Sequence, residues 1–233
     1  MRSKLDALKK PLLAVLLTHG HPDHYNGLTT LTKGLDVPII ATKSVNDVIV
    51  KNDAAKYKQW GPVFGDEWPK KRTFPNRVVD SKYKVKFGDL TFQVFDLGPA
   101  ESDADSYWKM TYKNKTYGFI GDIVKNRIHA YLADGHSKKW LAVIKRLKKD
   151  LRDATMVFPG HGGPGSLEML DWQASYIRKY RVTVDRLLGK KTQLSNADKD
   201  RLHAEMMAFL PSTHLEFLIK LGADSVAEEL KDR

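Results

Sequence analysis

Apolar residues 12–17 form an unbroken run, too short for a helix, and read as a buried strand. Residues 25–33 have helical character, and 37–41 read as a short strand that Pro38 assigns to a sheet edge. Val45, Val48 and Ile49 recur at helical spacing over 44–58. Residues 59–76 break the pattern with glycine, proline and the aromatics Trp60, Phe64, Trp68 and Phe74. Such a long loop is usually functional, and it reads either as a wall over a site or as a satellite core. Alternating positions predict two hairpins, 83–87 with 90–97 around Gly88-Asp89, and 106–112 with 116–120 around Lys113-Asn114-Lys115. A loop or short helix over 126–135 precedes a helix at 138–151 with Ser137 as its cap, then a strand at 155–158. Helices follow at 166–188, 197–209, 213–221 and 225–230, with breaks at Pro211 and Gly222. The order is that of an α/β unit, residues 1–165, carrying a helical extension, 166–233, packed on it.

Composition narrows this. An apolar share of 42% with no apolar run near twenty residues predicts a soluble globular protein without membrane contact. Basic residues before the run at 12–17 faintly suggest a signal peptide, but that run leads straight into the motif described next, so it reads as a strand. The chain as it stands reads as cytoplasmic, and an export signal would have to precede it. The absence of cysteine excludes disulfides and thiolate metal sites. A net charge of +11 favours anionic ligands, yet the lysines and arginines are spread over helices with no stacking aromatics among them. Nucleic acid is therefore not an expected partner; a small-molecule substrate is.

The chemistry is concentrated in His19-Gly20-His21-Pro22-Asp23-His24, directly after the first strand. Burying so many polar groups without partners would cost about 1–3 kcal/mol each. Imidazoles and carboxylates are ligands that zinc, iron and manganese accept. His19 and His21 leave a strand end on the same side, while Asp23 and His24 follow on the turn and can address a second ion. His129, His136, His203 and His214 lack ligand-like neighbours and read as structural or surface residues.

HGHPDH, followed by Asn26-Gly27-Leu28, resembles the H-x-H-x-D-H signature of the metallo-β-lactamase fold hydrolases. Three later motifs of that family have counterparts here in the same order: Gly98-Pro99-Ala100-Glu101-Ser102, Gly121-Asp122 and Gly160-His161-Gly162. The resemblance covers about residues 12–165 and implies an αββα sandwich with its N-terminal strands reduced or missing. It also implies two divalent metal ions, zinc before manganese or iron. His19, His21 and Glu101 would hold one ion and Asp23, His24 and His161 the other, with Asp122 bridging and Asp23 and Asp122 catalytic.

Two departures stand out. Glu101 replaces the family's middle histidine, adding a charge and a harder donor, with Asp103 and Asp105 as alternative ligands. The short front implies an exposed sheet edge that a homodimer would cover. The expected activity is hydrolysis of a carbonyl substrate (lactone, ester, thioester or β-lactam) by a metal-bound hydroxide. The alternatives are a mono-iron oxidoreductase acting on persulfides and a non-catalytic family member.

Overall fold

Alternation along the central strands sets the layering. A computed structural model of the chain describes residues 2–231. Strands β1 (Val15–Leu16), β2 (Ile39–Thr42) and β3 (Arg77–Val79) form a parallel sheet in that order. A second sheet runs β4 (Lys84–Phe87), β5 (Leu90–Gly98), β6 (Asp105–Tyr112), β7 (Lys115–Lys125) and β8 (Ala154–His161). Its first three pairings are antiparallel and β8 is parallel to β7. Ile40 and Leu16 turn toward the second sheet and cluster with Val94 and Trp108. Their neighbours Ile39, Ala41 and Leu17 turn the other way, onto Tyr25, Leu28, Val45 and Ile49. Those four lie on helices α2 (Pro22–Tyr25), α3 (Leu28–Leu31) and α4 (Lys43–Phe64), which follow a fully unburied α1 (Arg2–Ala7).

On the far side of the second sheet, Tyr107, Ile120 and Val157 join the largest core, shared with α5 (Ser137–Asp150), α6 (Glu168–Leu188), α7 (Asn196–Phe209), α8 (Phe217–Leu221) and α9 (Ala223–Lys231). Helix, sheet, sheet and helix thus stack as expected, with the helical tail in place. Among the described residues no helix is long and apolar enough to cross a membrane.

Local expectations need correction. The run 12–17 yields only two ladder residues, because β1 is a sheet edge and Leu13 is exposed. β2 is central, not an edge strand; Pro38 precedes it, where its carbonyl accepts from the Val15 N–H at 2.9 Å. The helix expected over 25–33 shrinks to the single turn Leu28–Leu31, which Asn26-Gly27 separates from a turn ending at Tyr25. The helix begun near residue 44 runs through Gly61 and Pro62 to Phe64, so the expected loop loses its first third. β7 continues five residues past Ile120, drawn on by parallel pairing with β8, and places Asp122 within the strand. α8 begins at Phe217, not at residue 213. Ser137 does not cap α5: its N–H and that of Lys138 donate to the Glu229 carboxylate on α9, at 2.9 and 3.1 Å.

Candidate metal centre

The first motif is anchored by the second sheet before any ligand is considered. The Leu17 carbonyl accepts from the Trp108 indole at 2.9 Å, and the Thr18 carbonyl from the Ser106 N–H at 2.7 Å. His19 then lies bridge-paired opposite Asp105, His21 precedes the first turn of α2, and Asp23 and His24 sit on that turn. Arg72 donates to Asp53 and to the Asn26 side chain, and Tyr25 donates to Asp53 at 2.8 Å, which fixes the end of α2. Glu101 lies in the β5–β6 turn, Asp122 in β7 and His161 at the end of β8.

Two glycines make the approach possible. Gly121 adopts φ +53°, and a Cβ there would come within 2.6 Å of Thr18 Oγ1. A Cβ on Gly160 would stand 1.8 Å from Asp122 Oδ1.

All seven residues singled out in the sequence converge. Donor atoms of His19, His21 and Glu101 form one group, and those of Asp23, His24, Asp122 and His161 a second, each within 4.8 Å of one another. His19 Nε2 lies 3.6 Å from Glu101 Oε2 and 4.0 Å from Asp122 Oδ2, so Asp122 borders both groups. His21 Nδ1 lies 2.8 Å from Glu101 Oε2, while its Nε2 donates to Asp134 at 2.9 Å. His24 Nε2 sits 3.2 Å from Asp122 Oδ1, and His161 Nε2 donates to Asp23 at 3.0 Å.

Glu101, not its neighbours, faces the group. Asp105 is used within the turn, accepting from the Ser102 N–H at 2.8 Å, and Asp103 accepts from His136 at 3.0 Å. His129 is buried between the Tyr176 hydroxyl and the Ser212 carbonyl, a structural role.

The decisive observation is what these groups lack. His19 Nε2, His24 Nε2, both Glu101 oxygens and Asp122 Oδ1 are buried without a hydrogen-bond partner. Each instead stands 2.8–3.6 Å from an imidazole, carboxylate or ammonium of the same cluster, a contact without hydrogen-bond geometry. Imidazoles and carboxylates in this number fit a divalent cation, which would satisfy them together.

Electrostatics describe the cluster without a cation. Burial disfavours the charged form of His21, but the Glu101 carboxylate and the Asp134 hydrogen bond prevail and raise it to about 10. Burial likewise opposes His24, which Asp122 and Asp23 raise to about 10. Contacts with Asp122 and Asp23 raise His161 to about 9. Burial and the neighbouring His24 hold His19 well below the ordinary imidazole range. Asp122 stays ionised far below the usual carboxylate range, because Lys125 and His24 outweigh its burial. A metal binding here must displace protons.

Above the cluster opens a cavity of about 450 Å³ with Lys125, Asp23 and His161 along its lining. Its apolar walls are Trp60 and Phe64 at the end of α4, Trp68, Tyr131, and Phe217 and Leu218 from α8. The aromatic stretch therefore forms a wall, while Phe74 packs against the core under the first sheet. Sequence reasoning missed Lys125, Asp134 and Tyr131. Lys125 follows Asp122 by three positions in a lysine-rich chain, and Asp134 lies in a loop; neither position carried a distinguishing signal.

Comparison with known proteins places the chain in a family. A family model described as metallo-beta-lactamase superfamily matches residues 2–161. A metallo-beta-lactamase type 2 of Bacillus cereus is 22% identical over 164 residues, 70% of this chain and 56% of that protein. A hydroxyacylglutathione hydrolase of Bdellovibrio bacteriovorus is 28% identical over 157 residues, 67% of this chain and 52% of that protein. The chain thus spans about half the length of these curated relatives. Among solved structures, a metallo-beta-lactamase from Pontibacter korlensis superposes with a TM-score of 0.59 at 20% identity, covering 76% of this chain and 74% of the other. One from Hirschia baltica gives 0.54 at 20% identity, covering 74% and 70%. With the family model matching residues 2–161, more than half of the chain, and the fold shared with these solved structures, the chain belongs to the metallo-beta-lactamase superfamily.

Proposed function

We propose that the chain is a dinuclear metal-dependent hydrolase of carbonyl compounds with an apolar part: a lactone, ester, thioester or β-lactam. The observation that carries this is the convergence of two His/Asp/Glu groups, with five buried atoms on His19, His24, Glu101 and Asp122 lacking a hydrogen bond, beside an aromatic-walled cavity that His21, Asp23, Glu101 and His161 line. His19, His21 and Glu101 would hold one ion, Asp23, His24 and His161 the other, and Asp122 would be shared. Two divalent ions, zinc first, would supply an acidified water and polarise the substrate carbonyl oxygen.

The chain's own groups do the rest. Asp122 fixes the spacing of the two halves from within β7, and Asp23, on the turn of α2, orients the attacking water. Asp134 keeps the Nε2 proton of His21 in a hydrogen bond, which leaves Nδ1 turned to Glu101 and free to ligate. The walls Trp60, Trp68 and Phe217 exclude water and receive the apolar part.

Metal content by plasma mass spectrometry, followed by a screen of the four substrate classes, tests the proposal. Two zinc or manganese ions per chain and turnover are expected. Asp122→Ala should abolish turnover while, below its lowered melting temperature, keeping the circular dichroism spectrum of the folded protein. Wild-type turnover in that variant, with metal still bound, would refute the shared-ligand role.

A second reading draws on the composition of the buried group. His19, His21 and Glu101 are two histidines and one carboxylate, a set that suits non-haem iron. One iron per chain, with oxygen consumed on a persulfide, would favour it over hydrolysis.

A further inference from the structure

We infer that Lys125 is an internal cation that holds the ligand cluster assembled before metal loading and competes with the incoming ion for Asp122 and Glu101. This rests on the metal-centre reading above and concerns a residue to which that reading gives no role.

The Lys125 side chain is 4% exposed, the Asp122 side chain 1% and that of Glu101 0%. Its ammonium donates to Asp122 Oδ2 and lies 3.5 Å from Glu101 Oε1, so one nitrogen serves a carboxylate in each ligand group. The backbone holds it there. The Lys125 N–H donates to the buried Gln173 side chain of α6 at 3.0 Å, and Lys125 pairs with His161 across β7 and β8. A lysine recruited only for solubility would extend into water. This one is placed by two strands and a helix between two buried carboxylates, Glu101 and Asp122.

Two opposite consequences follow from that position. Removing one member of a buried charge pair leaves the other uncompensated, which destabilises the protein strongly. A metal ion, however, takes up the same carboxylate oxygens and is repelled by an ammonium in contact with them. Loss of Lys125 must therefore weaken the metal-free protein and strengthen its grip on metal. A lysine with a merely structural role would weaken both.

Lys125→Met separates these cases. Thermal melting in chelator should drop by about 5 °C or more. Zinc affinity, read by competition with a chelating dye, should tighten by about tenfold or more. In the double variant Lys125→Met/Glu101→Gln, which also removes one of the buried negative charges, at least half of the lost melting temperature should return. An unchanged melting temperature or a zinc affinity no tighter than wild type in Lys125→Met would overturn the inference. So would a double variant as unstable as the single one. Wild-type protein that takes up no zinc would instead overturn the metal-centre reading and with it the competition, and melting would still show whether Lys125 holds the cluster.

Discussion

Gly160 shows how little freedom individual residues have around the centre. Asp122 Oδ1 fills the space where any side chain at position 160 would begin. Gly160→Ala should push Asp122 away from both donor clusters, lowering zinc content and costing about 1–3 kcal/mol in stability through overpacking. Gly163→Ala, where a Cβ would meet nothing within 4 Å, is the matched control. Equal zinc content and equal melting temperatures in the two variants would show that Asp122 tolerates displacement. At this scale the sequence was most readable where chemistry was bunched. HGHPDH declares itself, and the family resemblance pointed to Glu101, with Asp103 and Asp105 as alternatives, and to Asp122 and His161. Asp134 was invisible because its partner His21 lies far along the chain, and Lys125 because its contact with nearby Asp122 gains meaning only once Gln173 and Glu101 fix the lysine in place.

Among the elements, the N-terminus of α5 is closed by a residue 92 positions away, the Glu229 carboxylate. That carboxylate also pairs with Arg181 at 3.1 Å, so α9, α5 and α6 meet at one acid. Glu229→Ala should cost about 1–3 kcal/mol, combining a lost helix cap with a part-buried arginine left unpaired. Differential scanning calorimetry would show it, and a shift smaller than that of a surface Glu→Ala such as Glu228→Ala would refute the capping role. Ser137 looked like the cap because serine is a strong N-cap residue, but the acid brought by α9 took over its neighbourhood. α4 was harder to read for a similar reason. Gly61 and Pro62 signal an ending, yet the Tyr57 ring packs where a Gly61 side chain would stand, and the helix goes on to Phe64. Those extra turns put Trp60 and Phe64 into the cavity wall.

For the molecule as a whole, a net charge of +11 surrounds a centre in which carboxylates gather imidazolium and ammonium. His21 and His24 are raised to about 10 and His161 to about 9, above the ordinary value of 6.5 that they regain on unfolding. The folded protein therefore binds more protons than the unfolded chain between about pH 6.5 and 10. The resulting stabilisation of metal-free protein is complete below that window and fades as pH rises through it. Zinc competes with those same protons, so its affinity should rise over the same range. Melting in chelator at pH 6.5, 8 and 9.5, beside zinc titrations at each pH, checks both slopes. A metal-free melting temperature that climbs with pH would refute the assignment.

The spacing of the ligands along the chain bears on how the protein comes to be folded. Four donors, His19, His21, Asp23 and His24, lie within six positions and are available in an unfolded polypeptide. The other three arrive only when both sheets have docked, since Glu101, Asp122 and His161 all come from the second sheet and its turns. An ion present during synthesis meets the early donors first and gives the disordered chain a partner of its own. Zinc, were it the ion bound, would then stabilise both ends of the folding reaction, and its net benefit would be smaller than the affinity of the finished centre implies.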